Sequence, residues 1–323
     1  MYKISFPLGR NDALPKIAVM CGVHGNETHA VSQVVDLIRA FRVGINEEGY
    51  IVNDSDSSVA DEQTAEPSGF IKDLASKYKE ITFVTGVNEL GLAHSSRDFI
   101  NPGDESDIIS DRDFNREFSF EKKHDNINEA KQKIIEIIER NDIIIDVHNS
   151  PLCENTLIFG LDPSVNSMTK IAKDSGLQYI VANSLTDGII KNYINNKIFK
   201  TKKVGLTVEL NGMGWVPMDV SEGSRFFLSK VIMNGFKFLN RNTFIQPDNS
   251  SVSIDLISPA EGIISYNKVD PLSYYGANEI IAIINGLDGY SKGVVYAPMP
   301  GRLVALQESL YVTTGRSLGT FVS

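Results

Sequence analysis

Ile17-Ala18-Val19-Met20-Cys21-Gly22-Val23-His24-Gly25-Asn26-Glu27-Thr28 is the stretch around which the rest of the chain is arranged. Its opening apolar run reads as a strand buried on both faces. After it, Ala30, Val31, Val34, Val35, Leu37 and Ile38 recur at helical spacing as far as Phe41, with Thr28 placed to cap the helix. A strand that ends in a turn just ahead of a helix is where an α/β sheet presents its chemistry. His24 and Glu27 stand three residues apart, and Gly25 between them lets the chain bend tightly. An imidazole and a carboxylate so placed can share one divalent metal, provided the chain supplies a third ligand elsewhere.

Working outward, the strand–helix order repeats. Ile81–Thr85 reads as a second buried strand, Ile127–Arg140 as an amphipathic helix, and Ile143–Val147 as a central strand that ends at His148. Leu157–Gly160, Tyr179–Val181 and Val204–Leu210 read as further strands, the last ending at Glu209 and Leu210. Helical patterns cover Val165–Ser175, Leu185–Asn196 and Ser221–Leu239. This order predicts an α/β domain, a mostly parallel mixed sheet with helices on both faces. Between its elements, Gly44–Gly69 is polar and acidic and breaks at Pro67-Ser68-Gly69, which reads as an exposed insertion. Gly86–Gly91 reads as a turn-rich segment and the chain from there to Phe118 as one long loop carrying Arg97, Arg112 and Arg116, and loops of that length are commonly functional. Near Gln246 the pattern changes: from Val252 to Val322 short apolar runs alternate with glycine or proline turns, so a small C-terminal all-β domain is expected. The expected division is 1–245 and 246–323.

Composition narrows the function classes. A net charge of −10 argues against non-specific nucleic-acid binding, and 42% hydrophobic with 22% charged residues is ordinary for a globular chain. With only two cysteines, Cys21 and Cys153, no disulfide framework is expected. Met1–Arg10 lacks the apolar core of a signal peptide, and no apolar run approaches the roughly 20 residues of a membrane span. The expectation is a cytoplasmic enzyme with no membrane or nucleic-acid partner and with homo-oligomerisation left open.

His24, Glu27 and His148 all fall at strand ends. Two histidines and one glutamate, with one position left for water, form a common catalytic zinc set, so one zinc per chain is expected. Zinc lowers the pKa of a bound water toward neutrality and polarises a carbonyl. Glu209, outside that set at the end of its own strand, is placed to take a proton from water and pass it to a leaving nitrogen. His29, His94 and His124 are assigned no metal role.

These pieces, in this order, resemble a known family. Gly22-Val23-His24-Gly25-Asn26-Glu27, Asp113-Phe114-Asn115-Arg116, Asp146-Val147-His148-Asn149-Ser150 and Thr207-Val208-Glu209 match the signature of the succinylglutamate desuccinylase/aspartoacylase family, which belongs to the zinc-carboxypeptidase-like hydrolases. The resemblance implies zinc on His24, Glu27 and His148, Glu209 as the catalytic glutamate, and Asn115 with Arg116 on a substrate carboxylate. A guanidinium fork matches a carboxylate in two places, which suits that last role. The family also places an arginine shortly before the Asp-x-Asn-Arg motif to polarise the scissile carbonyl. Arg97 is the first candidate and Arg112 the second. Aspartoacylase-like members carry a further arginine before the catalytic strand, where this chain has Lys197, Lys200, Lys202 and Lys203. Glu308-Ser309-Leu310-Tyr311 resembles their Glu-x-x-Tyr, which makes Tyr311 a substrate contact from the β domain covering the active-site mouth.

The implied activity is zinc-dependent hydrolysis of an amide, removing an acyl group from a small anionic N-acylated amino acid or similar amine. A metallocarboxypeptidase acting on peptides would use the same metal, base and carboxylate clamp. A non-catalytic metal-binding interaction protein is the alternative of another class.

Overall fold

The computed structural model describes residues 1–9, 11–44, 67–98, 113–116, 128–150, 154–160, 165–182, 203–212, 216–240, 253–267, 274–306, 311–315 and 317–322. The expected helix at Leu185–Asn196 lies outside them.

Seven strands hydrogen-bond in the order β1-β3-β2-β4-β7-β5-β6: Tyr2–Pro7 (β1), Lys16–Cys21 (β2), Glu80–Thr85 (β3), Ile143–Ser150 (β4), Thr156–Gly160 (β5), Tyr179–Ala182 (β6) and Val204–Asn211 (β7). β2 pairs in parallel with β3 and β4, β5 pairs in parallel with β6, and the edge strand β1 runs antiparallel to β3. The sheet is therefore mixed, as the strand–helix order predicts. The helices are Thr28–Gly44 (α1), Pro67–Ala75 (α2), Glu89–Ala93 (α3), Asn128–Arg140 (α4), Val165–Asp174 (α5) and Met218–Asn234 (α6).

Side chains alternate across a strand, and here the alternation assigns helices to both faces. Ala18, Met20, Val84 and Ile144 pack with Ile134, Ile137 and Ile138 of α4. Their neighbours point the other way: Phe83 lies 5.2 Å from Phe41 of α1, which in turn lies 5.4 Å from Phe6 of β1. Ile17, Val19, Ile143 and Ile145 are fully buried, which accounts for the unbroken apolar runs in β2 and β4. Each such side chain stabilises the fold by roughly 2–3 kcal/mol. Tyr78 fastens α6 to the sheet. Its hydroxyl donates to Ile232 O at 2.5 Å and accepts from Phe236 N at 2.9 Å, where α6 tightens into a 3-10 turn at Gly235–Asn240.

Three local readings change. Pro67-Ser68-Gly69 opens α2 instead of ending a loop, because proline suits the first helical turn, where its missing N–H loses no bond. The turn-rich segment expected at Gly86–Gly91 and the start of the loop after it form the short helix α3, capped by Asn88 Oδ1 accepting from Gly91 N at 3.0 Å. β1, for which no strand was expected, is exposed at most of its positions along the sheet edge and lacks the apolar run that marks β2 and β4.

The chain forms two compact units that interleave in sequence: Met1–His148, Thr186–Val208 and Pro217–Arg241 make the first, and Asn149–Leu185, Glu209–Val216 and Asn242–Ser323 the second. This differs from a single cut at 245. β6 packs on Ser253–Ile257 (β8), a long-range contact that local composition does not reveal. The last segment of the second unit is all strand among its described residues. β8, Tyr274–Tyr275 (β10), Gly301–Leu306 (β13) and Ser317–Val322 (β15) form one antiparallel sheet; Gly262–Tyr266 (β9), Ile280–Asn285 (β11), Ser291–Tyr296 (β12) and Tyr311–Val312 (β14) form another. Leu256, Ile264, Tyr275, Ile281, Ile284 and Phe321 share its core.

Candidate metal centre

The turn after β2 is set by two glycines that face each other. Gly22 and Gly86 both adopt positive φ, +74° and +61°, and a Cβ on Gly22 would lie 3.1 Å from Gly86 Cα. Val87 N and Asn88 N then donate to Cys21 O and Gly22 O at 3.3 and 2.8 Å, so the exit of β3 follows the exit of β2. Gly25 does a different job from the one its position suggests. Its φ is not positive; instead the backbone of α3 lies against it, and a Cβ there would sit 1.9 Å from Gly91 C. Gly25→Ala is therefore expected to push α3 off the turn and destabilise the protein by about 1–3 kcal/mol. A urea titration reads that loss.

Register brings in the third ligand. Met20 pairs with Asp146 and Cys21 with Val147, so His148 falls beside the turn that carries His24. His24, Glu27 and His148 are 2–3% exposed, and one ligand atom from each lies within 4.8 Å of the others. His24 Nδ1 is 2.7 Å from Glu27 Oε1, His148 Nδ1 is 2.8 Å from Glu27 Oε2, and the two Nδ1 atoms are 3.2 Å apart. Tetrahedral zinc with bonds of about 2.05 Å would separate two ligand nitrogens by roughly 3.3 Å. The three residues can hold a metal ion, and two imidazole nitrogens converging on one carboxylate in a buried pocket fit a divalent cation.

The outward nitrogens are held by carboxylates. His24 Nε2 bonds Asp113 Oδ1 at 2.9 Å, and His148 Nε2 lies 3.0 Å from Asp146 Oδ2. Partners of this kind fix a ligand's tautomer and ring orientation. Neither oxygen of Asp146 makes a well-aligned hydrogen bond, so the buried charge of this 1% exposed residue is balanced by the imidazole. Burial disfavours protonation of both histidines, but the surrounding carboxylates outweigh it. Glu27 and Asp113 hold the His24 pKa above its usual value, and Asp146 with Glu27 holds that of His148 well above. Burial likewise opposes ionisation of Glu27, yet the two imidazoles hold its carboxyl far below the usual range.

Arg97 reaches the same cluster. Its guanidinium lies 3.5 Å from Glu27 Oε1 and 3.2 Å from Asp113 Oδ2, with 44% of the side chain exposed. α3 places it there: Asn88 Nδ2 donates to Asp98 O at 2.9 Å and Ser96 N to Gly91 O at 2.8 Å, which fixes the segment on either side. Asn115 is buried. Its backbone N–H donates to Asp113 Oδ1 at 2.9 Å, and its Nδ2 lies 3.3 Å from His148 Nε2. It therefore stands against His148, in the 3-10 turn Phe114–Arg116. The side chain of Arg116, and all of Arg112, lie outside the described residues.

Glu209, half-buried near the end of β7 in the second unit, accepts from Ser150 Oγ at 3.2 Å. Gly212 N donates to Ser150 O at 2.9 Å and Asn149 Nδ2 to Gly212 O at 2.8 Å, tying the ends of β4 and β7. Tyr311 is exposed on β14 and its hydroxyl donates to Glu261, which keeps its proton on. Lys203 Nζ donates to Glu139 O at 2.9 Å and Asn141 O at 2.6 Å, so it caps the end of α4 instead of lining a pocket. Lys197, Lys200 and Lys202 lie outside the described residues. His29 is buried in α1 and His94 is exposed; His124 is not among the described residues.

Two positions beside the candidate ligands escape the sequence reading: Asp113 on His24 and Asp146 on His148. Asp146 carries a signal, since a residue two before a ligand on a strand shares its face. Asp113 carries none beyond its place in the Asp-Phe-Asn-Arg run.

No family model matches the sequence, and no curated protein matches it. Solved structures do. A protein of the aspartoacylase family from Mesorhizobium loti is 14% identical, with 99% of this chain and 88% of that one covered at a TM-score of 0.64. The ectoine utilization protein EutE (DoeB) from Ruegeria pomeroyi, in a product-bound structure, is 13% identical, with coverages of 99% and 93% and a TM-score of 0.65. A succinylglutamate desuccinylase/aspartoacylase from Rhodobacter sphaeroides is 14% identical, with 99% and 95% covered at a TM-score of 0.63. The chain thus has, over nearly its whole length, the fold of the succinylglutamate desuccinylase/aspartoacylase structures.

Proposed function

We propose that the protein is a zinc-dependent amidohydrolase that removes the acyl group from a small, anionic N-acylated amino acid or a similar amide. The observation that carries this reading is the buried His24–Glu27–His148 cluster with both outward nitrogens backed by carboxylates. The shared fold supports it, and with it a zinc-carboxypeptidase-like scaffold. A divalent metal held by the three residues supplies a Lewis acid and a water of lowered pKa.

The chain's own groups do the rest. Glu209 is the general base that takes the proton of the attacking water, and then the acid that delivers it to the departing nitrogen. Arg97 turns its exposed fork to the carbonyl oxygen as negative charge develops there, with Arg112 as the second candidate. Asn115 and Arg116 hold the substrate carboxylate, and Tyr311 is a further substrate contact. Asp113 keeps the His24 ring oriented and raises its basicity. Asp113→Asn retains the acceptor oxygen but removes the charge, so zinc affinity is expected to fall about 10- to 100-fold. Competition with a fluorescent zinc chelator measures it. With two cysteines in 323 residues, a reducing cytoplasmic setting suits the chain.

The test is turnover by zinc-loaded protein on N-acetyl and N-succinyl amino acids, with short peptides alongside. Release of free amine from the acylated amino acids supports the reading. Release from the peptides alone sinks it in favour of a carboxypeptidase, and release from neither sinks it as an enzyme of this class.

A further inference from the structure

At the other end of the sheet from the metal centre lies a hollow of about 490 Å³ lined by Lys3, Ser5, Lys16, Glu80, Thr82, Arg140 and Asn141. All of these belong to the first compact unit. Lys16 and Glu80 are the first residues of β2 and β3, and Asn141 precedes β4. The stretch from Asn141 to His148 spans roughly 20 Å in extended form, so the hollow is separate from the metal ligands.

Its lining is unusual for this chain. Three cations and one carboxylate face one concavity in a protein of net charge −10. A lysine on an edge strand and an arginine in a last helical turn each have ordinary roles in solvation and helix capping. Two features go beyond those roles. First, among the described residues no carboxylate pairs with Lys3 or Arg140, and Lys16 Nζ stands 4.0 Å from Glu80 Oε2, the limit of an ion pair. Second, Asn141 is 3% exposed and its Oδ1 is buried without any hydrogen-bond partner, while its Nδ2 donates to Ile137 O at 2.8 Å. Nearby, the buried Thr82 hydroxyl shares a hydrogen bond with Ser5 Oγ at 2.8 Å.

We propose that this hollow is a second ligand site, for a small dicarboxylate that also carries an amine, of which an acidic amino acid is the simplest member. Lys3, Lys16 and Arg140 meet the two carboxylates. Glu80, whose Oε1 accepts from Thr82 Oγ1 at a long 3.4 Å, and Asn141 Oδ1, which has no partner, meet the ammonium. Phosphate satisfies only the cations and repels Glu80. The site lies away from the strand ends where an α/β sheet does chemistry, so its role is binding and not turnover. It does not depend on the function proposed above.

Isothermal titration of the full-length protein with L-glutamate, succinate and inorganic phosphate tests the proposal. L-Glutamate is expected to bind saturably, and Lys3→Gln with Arg140→Gln to weaken it at least about tenfold. Both side chains are exposed, so the double variant keeps the native melting profile. Arg116→Ala is expected to leave this binding in place, which separates it from any carboxylate held near the metal. A crystal soaked in L-glutamate should show the ligand against Lys3, Arg140 and Asn141, whatever the variants do. The site is overturned if the wild-type protein shows no saturable binding, or if the double variant binds L-glutamate as the wild type does. Succinate or phosphate binding as tightly as L-glutamate overturns the amine-bearing class.

Discussion

Glu209→Gln is expected to lower the rate of acyl-group hydrolysis by roughly 10²–10⁴-fold, the range that one general acid–base group contributes. Zinc content should not change, because Glu209 is not among the grouped ligands. The substitution is close to isosteric, and an amide oxygen still accepts the hydrogen bond that Ser150 Oγ donates at 3.2 Å. What disappears is the basic lone pair. Loss of turnover with full metal occupancy therefore isolates proton transfer from folding and from metal binding. Turnover within a few-fold of the wild type would remove Glu209 from the role.

His148→Ala should weaken metal binding and, separately, weaken the fold. Three protein ligands sharing a zinc-binding free energy on the order of 10–16 kcal/mol contribute about 4 kcal/mol each, so affinity should fall roughly a thousandfold. The second effect comes from Asp146. Its 1% exposed carboxylate is balanced by His148 Nε2 at 3.0 Å, and removing the imidazole leaves a buried charge without a partner. Breaking a buried pair in that way costs about 3–5 kcal/mol. Denaturant unfolding of the metal-free proteins reads this term without interference from zinc. Adding Asp146→Asn to His148→Ala should recover much of the lost stability while restoring no metal affinity. If His148→Ala alone unfolds as the wild type does, the Asp146–His148 pair is not the balance of charge argued for it.

How much of this is visible in the sequence depends on the range of the interaction. β2 and β4 are legible because burial on both faces leaves unbroken apolar runs, and strand ends are where ligands collect. That logic reaches His24, Glu27, His148 and Glu209 with no knowledge of contacts. Gly25 shows its limit. A glycine between two ligands suggests a bend, yet the bend belongs to Gly22, while Gly25 makes room for the backbone of α3. The close approach involves Gly91, far along the chain, and no local pattern announces it. Asp113 is similar: its bond to His24 joins residues 89 apart in sequence, so residue spacing is silent about it. The helix at Pro67 is hidden for a different reason, since the same Pro-Ser-Gly run serves a turn or a first helical turn equally well. The division into units includes the contact of β6 with β8, which composition does not announce.

The central claim is that His24, Glu27 and His148 together hold a catalytic divalent metal. X-ray absorption at the zinc edge, on protein loaded with one equivalent, tests it most directly. The expected first shell is two imidazole nitrogens at about 2.0–2.1 Å with oxygen neighbours at about 2.0–2.2 Å, and one imidazole contribution lost in His148→Ala. A shell containing sulfur at about 2.3 Å, or a spectrum unchanged by His148→Ala, would contradict it.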